Sequence, residues 1–240
     1  MNKEKLLYEN SKHALQSDNI IAITNRHLCS RPFMEQLERV CKLHPHAIVL
    51  REKDMPEAEY LSLARDVIAL CKKYDVQCML HNFINVAMEL EHPYIHLPLP
   101  ILEAYVKKNM SGNISTGMSK STDNYQQFFK VIGTSVHSVE DAIKAEQLGA
   151  TYMTAGHIFA TDCKKGLPPR GLDFLKNVCD AVGIPVYAIG GINIASSDDS
   201  TASDAPPAYD AMPDISVPRL ADVMECGAAG GCIMSGMMRV

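Results

Sequence analysis

A single-domain α/β fold, the (β/α)8 or TIM barrel, is what this sequence predicts, and three observations carry the prediction. Eight apolar runs of strand length recur along the chain. Amphipathic segments of helix length separate them, and the 240 residues suit one barrel around a single core. Strand–helix alternation of this kind builds a parallel sheet, and eight repeats close it.

The strands read, in order, as Ile20–Thr24, Ala47–Arg51, Val76–Leu80, Tyr94–Leu97, Val131–Val136, Tyr152–Phe159, Pro185–Ile189 and Gly231–Met234. Most are β-branched or aromatic in character and too short for a buried helix. The helices between them read as Arg31–Leu43, Glu57–Lys73, Ile84–Leu90, Val139–Leu148, Leu172–Val182 and Val217–Cys226. The fourth connection is weaker: Ile101–Lys108 has helical periodicity, and 109–123, rich in Ser, Gly, Asn and Thr, reads as loop. The helix after the fifth strand is the best punctuated. Ser138 can cap it, Glu140 and Asp141 suit its positive end, and Gly149 suits its C′ position.

Residues 194–216 form an acidic insertion rich in Ser, Ala and Pro, where such connections normally take only ~2–6 residues. It holds almost nothing apolar to pack, so a flexible segment is expected, with a lid as the alternative. Residues 1–19 read as an N-terminal extension to a barrel over 20–240. Val240 follows closely on the eighth strand, so the barrel's C-terminal end is expected to be incomplete. A full eighth helix is missing, and the first nineteen residues would cover that side.

Composition excludes several classes. Hydrophobic residues make up 47%, charged residues 21% and the net charge is −5, values ordinary for a soluble protein. No basic block points to nucleic acid, and no apolar run nears the ~20 residues of a membrane span. The N-terminus lacks the apolar core of a signal peptide. The eight cysteines include no C-x-x-C pair, which predicts free thiols in a reducing cytoplasm rather than disulfides or a zinc site.

In a parallel barrel the chemistry gathers at the C-terminal strand ends. Arg51 and Lys53 close the second strand two residues apart and share a face suited to an anion, unless Glu52 or another acid neutralises them. Ser135 and His137 close the fifth strand with the same spacing and should point inward. An imidazole titrating near neutrality makes His137 the candidate acid or base, although a histidine at a strand end is often merely structural. Thr161, Lys164 and Gly166 follow the sixth strand as a hydroxyl, an ammonium and a flexible backbone. Gly190-Gly191 and Met234-Ser235 follow the last two strands, where such barrels commonly hold phosphate. His81, His96, His137 and His157 fall at successive strand ends, a pattern that could also serve a metal site. Carboxylates beside them are sparse and no metal is expected, so His81, His96 and His157 read as buried, hydrogen-bonded groups or substrate-orienting residues.

These motifs resemble the thiamin phosphate synthase superfamily over about Ile20 to Met237, and most closely its thiazole tautomerase (TenI-type) branch. Val49-Leu50-Arg51-Glu52-Lys53 is similar to the family's Q-L-R-E-K strand end. Ser135-Val136-His137-Ser138, the Thr161–Lys165 loop, Ala188-Ile189-Gly190-Gly191-Ile192 and Met234-Ser235 match in order. The stretch from Gly156-His157 through Gly166-Leu167 to Arg170-Gly171 is the most specific match; synthases usually carry proline where His157 stands. The chain also departs from synthases. They hold magnesium with an Asn-Asp pair after the third strand and an Asp after the fourth, where this chain reads His81-Asn82 and His96-Leu97-Pro98-Leu99-Pro100-Ile101.

The resemblance therefore implies a thiamin biosynthesis enzyme, an isomerase of the carboxylated dihydrothiazole ethyl phosphate. It implies His137 as the proton carrier and Arg51, Lys53, Ser135, Thr161, Cys163 and Lys164 around the substrate. Gly190, Gly191, Met234 and Ser235 would hold the phosphate. No cofactor is needed in this reading; magnesium enters only if the chain is a synthase joining a pyrimidine diphosphate to a thiazole phosphate. A third reading is a non-catalytic sensor of thiazole or thiamin phosphate. The expected partner is a small thiazole phosphate, with no nucleic acid and no membrane, and homo-oligomer formation stays open.

Overall fold

The computed structural model describes residues 18–112, 128–161, 164–194 and 216–240. Eight strands close into a parallel barrel in sequence order, with the first paired to the last. They are β1 (Ile20–Ile23), β2 (Ala47–Leu50), β3 (Gln77–His81), β4 (Tyr94–Pro98), β5 (Val131–Val136), β6 (Tyr152–Gly156), β7 (Val186–Ile189) and β8 (Gly230–Ile233). The α-helices among the described residues are α1 (Phe33–Lys42), α2 (Glu57–Lys73), α3 (Ile84–Glu89), α4 (Leu99–Gly112), α5 (Val139–Gln147), α6 (Gly171–Ala181) and α7 (Leu220–Glu225), with a 3-10 turn at Arg26–Leu28. This is the (β/α)8 barrel that the alternation predicts.

Strand pleating divides the apolar residues between two cores. Ile21, Val49, Met79, Tyr152, Tyr187 and Cys232 fill the barrel interior. Their neighbours, including Ala22, Ile48, Leu80, Ile95, Val136 and Met153, face the helices with Leu37, Val67 and Val178. Each strand is buried on both faces, which explains why its sequence is a continuous apolar run rather than an alternating one. Gly133 serves this interior directly. A Cβ there would stand 2.1 Å from the Tyr152 ring, so the glycine is the space that the ring occupies.

Local chemistry explains the element ends. The Ser138 side chain accepts a hydrogen bond from the Asp141 N–H at 3.0 Å, and Gly149 takes φ +89°, as expected for α5. Two expectations need correction. The sixth strand stops at Gly156 rather than Phe159. Beyond it Ile158 is apolar because it packs against the outer core, and Phe159 carries the Arg219 guanidinium over its ring at 4.5 Å. The fourth helix begins at Leu99 and reaches Gly112, so positions 109–112 are helical despite a loop-like composition. Pro100 is tolerated because first-turn amides need no helical acceptor.

After β8 the chain turns back onto α1. Met237 and Met238 are buried, and Gln36 donates to the Met237 carbonyl at 2.8 Å, while Arg31 donates to the Val240 carbonyl. Among the described residues, then, Arg31 and Gln36 are what the segment after β8 packs against. The first seventeen residues, and the insertion between Ile194 and Ile215, lie outside the described residues. The seven described cysteines are all free thiols; Cys163 is not among them. Among the described residues no helix is long and apolar enough to cross a membrane.

Candidate active site

The C-terminal rim of the barrel collects the candidate residues from five strand ends. His137, one step beyond β5, is exposed, and its Nδ1 lies 2.8 Å from the Gly156 carbonyl oxygen at the end of β6. A carbonyl can only accept, so Nδ1 carries a hydrogen, and in the neutral ring the lone pair falls on Nε2. The backbone has thus chosen the tautomer that can take a proton. The His137 amide donates to the Asp141 carboxylate at 3.3 Å, which ties the residue to the first turn of α5.

Beneath His137 the barrel interior holds a polar layer. His96 is buried, with Nδ1 2.8 Å from the Tyr152 hydroxyl and Nε2 2.9 Å from Ser135 Oγ. Thr154 donates to the same Ser135 oxygen at 3.0 Å. His81 stacks on His96 with ring centroids 5.9 Å apart. Ser135 therefore points inward, as its strand position predicts. Burial pushes His96 down to about 3, aided by His81 and Arg51. Burial likewise pushes His81 down to about 4, with Arg51 and Lys53 adding to it. Both rings are neutral near pH 7. Their unfolded counterparts take up protons below about pH 6.5, so stability is full above that value and falls as the pH drops towards 4 and 3. Each ring is expected to add about 1.4 kcal/mol of lost stability per pH unit across that window. Urea midpoints at pH 7 and pH 5 will show the drop, and His96→Gln should shrink it.

Cations gather on the β2 side. Lys53 is exposed and half-buried Arg51 lies beside it. The Arg51 charge, partial burial and Lys164 together lower the Lys53 ammonium below its usual range. Lys164 thus lies within electrostatic reach across the mouth, which brings the β2 and β6 loops to one cationic region. Glu52, one of the acids that the sequence offers as a partner for Arg51, is engaged elsewhere. Its buried carboxylate is taken by Thr24 Oγ1 at 2.7 Å and by the Arg26 guanidinium at 3.0 Å. Thr24 Oγ1 in turn accepts the Arg51 N–H at 2.8 Å. This Thr24–Glu52–Arg26 cluster fixes the backbone under Arg51 and Lys53, and the local sequence does not show it beyond a glutamate between two inward-facing cations.

The last loops also meet. The Phe159 amide donates to the Gly190 carbonyl at 3.0 Å, and Arg219 donates to the Gly191 carbonyl at 2.8 Å. Gly190 and Gly191 have φ +99° and +69°, and a Cβ on either would stand 2.4 or 2.5 Å from the His157–Ala160 loop. A Cβ on Gly236, beside Met234 and Ser235, would come within 3.2 Å of Ile194. The loops holding the four expected phosphate-site residues are therefore neighbours. His157 corrects one expectation: it is half-buried rather than buried. Its backbone carbonyl accepts the Arg170 amide at 3.0 Å, and Nε2 lies 3.4 Å from the Leu167 carbonyl. It closes the loop that carries Lys164 and Gly166. Thr161 is half-buried at the start of that loop, and Cys163 lies outside the described residues.

Among the described residues no group of three or more His, Cys, Asp or Glu is arranged to hold a metal ion. A cavity of about 230 Å³ opens at the opposite, N-terminal end of the barrel, lined by Ile21, Ala47, Met79 and Tyr187 among others. Its lining includes no Lys or Arg, which makes it a poor match for an anionic substrate.

Residues 20–206 match the family described as thiamine monophosphate synthase. A protein named putative thiamine-phosphate synthase 2 from Aquifex aeolicus is 34% identical over 178 residues, covering 74% of this chain and 87% of its own. A thiamine-phosphate synthase from Caldanaerobacter subterraneus is 30% identical over 175 residues, covering 72% of this chain and 75% of its own. The solved structure of a thiamine phosphate pyrophosphorylase from Pyrococcus furiosus superposes with a TM-score of 0.64 at 24% identity, covering 94% of this chain and 89% of that one. At that identity the likeness is one of fold.

Proposed function

Because the chain belongs to the thiamine monophosphate synthase family, a family of thiamin biosynthesis, we propose that it acts on the thiazole branch as a tautomerase. One observation carries the choice within the family: the donor set at the ends of β3 and β4. The residues there are His81 and Asn82, then Pro98, Leu99 and Pro100. They offer one amide oxygen, a buried imidazole held neutral and no carboxylate. Magnesium requires hard oxygen ligands in near-octahedral array, and this set does not fit it. A step that expels pyrophosphate would lack its usual charge neutralisation.

Proton transfer needs less. The substrate would be 2-(2-carboxy-4-methylthiazol-5(2H)-ylidene)ethyl phosphate. His137 Nε2 takes the proton from ring C2. The C2–H electrons become the C2–N double bond, the ring double bond shifts to C4–C5, and the exocyclic carbon receives the proton back. No electron or atom is gained or lost, and aromaticity drives the change. One positioned base suffices. Arg51, Lys53 and Lys164 neutralise the carboxylate beside C2, with Thr161 and Cys163 on the loop that follows β6. Gly190, Gly191, Met234 and Ser235 hold the phosphate.

The names of the relatives favour a second reading, a synthase that joins a pyrimidine diphosphate to a thiazole phosphate. The two are separated by following the dihydrothiazole carboxylate phosphate by absorbance and NMR, with and without a chelator. Turnover to the aromatic product that is indifferent to chelation is expected. Magnesium-dependent release of pyrophosphate from the pyrimidine diphosphate would establish the synthase instead. Tight binding of the product without turnover of either substrate would leave a sensor.

A further inference from the structure

The buried hydrogen bonds under the rim have a direction. Tyr152 Oη has one hydrogen-bond partner among the described residues, His96 Nδ1. The phenol is fully inside the barrel, and burial, with smaller contributions from Cys232 and Tyr187, raises it well above its ordinary range; it holds its proton. If His96 carried its hydrogen on Nδ1, the phenol hydrogen would be left in the apolar interior without an acceptor, at a cost of about 1–3 kcal/mol. If the hydrogen sits on Nε2, every group is satisfied. Tyr152 donates to Nδ1, and Nε2–H donates to Ser135 Oγ at 2.9 Å. The Thr154 hydroxyl, 3.0 Å from Ser135 Oγ, fills the second lone pair when it donates to it.

A hydroxyl oxygen accepts two hydrogen bonds and donates one. With both acceptor positions occupied from below, Ser135 retains its hydrogen alone, and the residue is only half-buried on the rim side. We propose that Tyr152, His96 and Thr154 form a one-way relay that fixes Ser135 as a donor to the substrate. His96 and Tyr152 are then positioning residues two and three bonds from the ligand. The group they select must be a pure acceptor. Resting on the tautomerase reading, that group is the ring carboxylate, which the Arg51–Lys53–Lys164 charges also favour. A hydroxyl or amine that must donate at this point is rejected, because its hydrogen would meet the hydrogen of Ser135.

The relay is testable without substrate. Long-range 1H–15N NMR spectra of histidine-labelled protein at pH 7 should place His96 in the Nε2–H tautomer. An Nδ1–H tautomer, or an imidazolium, would overturn the proposal whatever the enzyme's substrate proves to be. Tyr152→Phe should mix the two tautomers in the same spectrum. With substrate, Thr154→Val should raise KM about tenfold and move kcat less than twofold, since a donor to a carboxylate contributes to ground state and transition state alike. In a Ser135→Ala background the same change should be silent, since its effect passes through the serine. A Thr154→Val effect of equal size with and without Ser135 would refute the relay. The expected tautomer combined with no thiazole turnover would instead refute the reading of the substrate.

Discussion

Replacing His137 with alanine is expected to lower kcat on the dihydrothiazole phosphate roughly 1,000-fold, within the range that a positioned acid or base supplies. The side chain is exposed and its one described hydrogen bond runs to the Gly156 carbonyl, so the fold should lose less than about 1 kcal/mol. Circular dichroism and the urea midpoint should therefore stay close to wild type while the rate collapses. Because Nδ1–H is held by the backbone, the deleted ring leaves a cavity with a carbonyl at its edge. Added imidazole should restore part of the rate in His137→Ala and none in the wild type. In heavy water, the wild-type product should carry deuterium at the exocyclic carbon, and the variant should slow that exchange in parallel with turnover. A folded His137→Ala enzyme that keeps near wild-type activity would remove His137 from the chemistry.

Gly190→Ala is expected to have the largest effect on both stability and activity of any one-carbon change at the rim. The glycine has φ +99°, and a Cβ would lie 2.4 Å from His157 Cβ and 2.9 Å from His157 Cα. Neither atom is the far end of a flexible side chain, so the β6 loop must move. Left-handed strain of about 1–2 kcal/mol combines with overpacking of about 1–3 kcal/mol. At roughly 2–4 °C per kcal/mol for a chain of this size, the melting temperature should fall about 10 °C. The displacement begins at His157, next to the Gly156 carbonyl that orients His137. Activity should fall at least tenfold, even well below the melting point. A variant with wild-type melting and turnover would show that the loops can separate freely.

Much of this arrangement was legible in the sequence because period-two alternation assigns every strand residue to one of two cores. That alternation puts Arg51 and Ser135 at the C-terminal strand ends and turns Ser135 inward. The start of α5 is equally clear, since the Ser138 cap and the apolar periodicity agree there. Two kinds of information were not local. Phe159 looks like strand because it is apolar, yet its partner is Arg219, 60 positions on. Likewise Glu52 reads as a partner for adjacent Arg51, whereas its oxygens are claimed by Thr24 and Arg26 from the preceding strand end. Tyr152 and Thr154 were absorbed into an apolar run. That their hydroxyls meet His96 and Ser135 depends on the stagger between β4, β5 and β6, in which His96 is opposite Gly133 and Ser135 opposite Thr154. Register of that kind is a property of the closed sheet and has no signature in any single segment.

The pairing of β1 with β8 also sets the order in which this protein can be made. Until Gly230–Ile233 leave the ribosome, the hydrogen-bonding edges of β1 and β7 stand open, and the polar layer inside has no complete wall around it. The seven earlier strands can gather only as a curved, unsealed sheet, with the long-range contacts between β1 and β8 still to form. During that interval the exposed edges are vulnerable to pairing with another nascent chain. The seam between β1 and β8 is therefore the last part of the barrel to close.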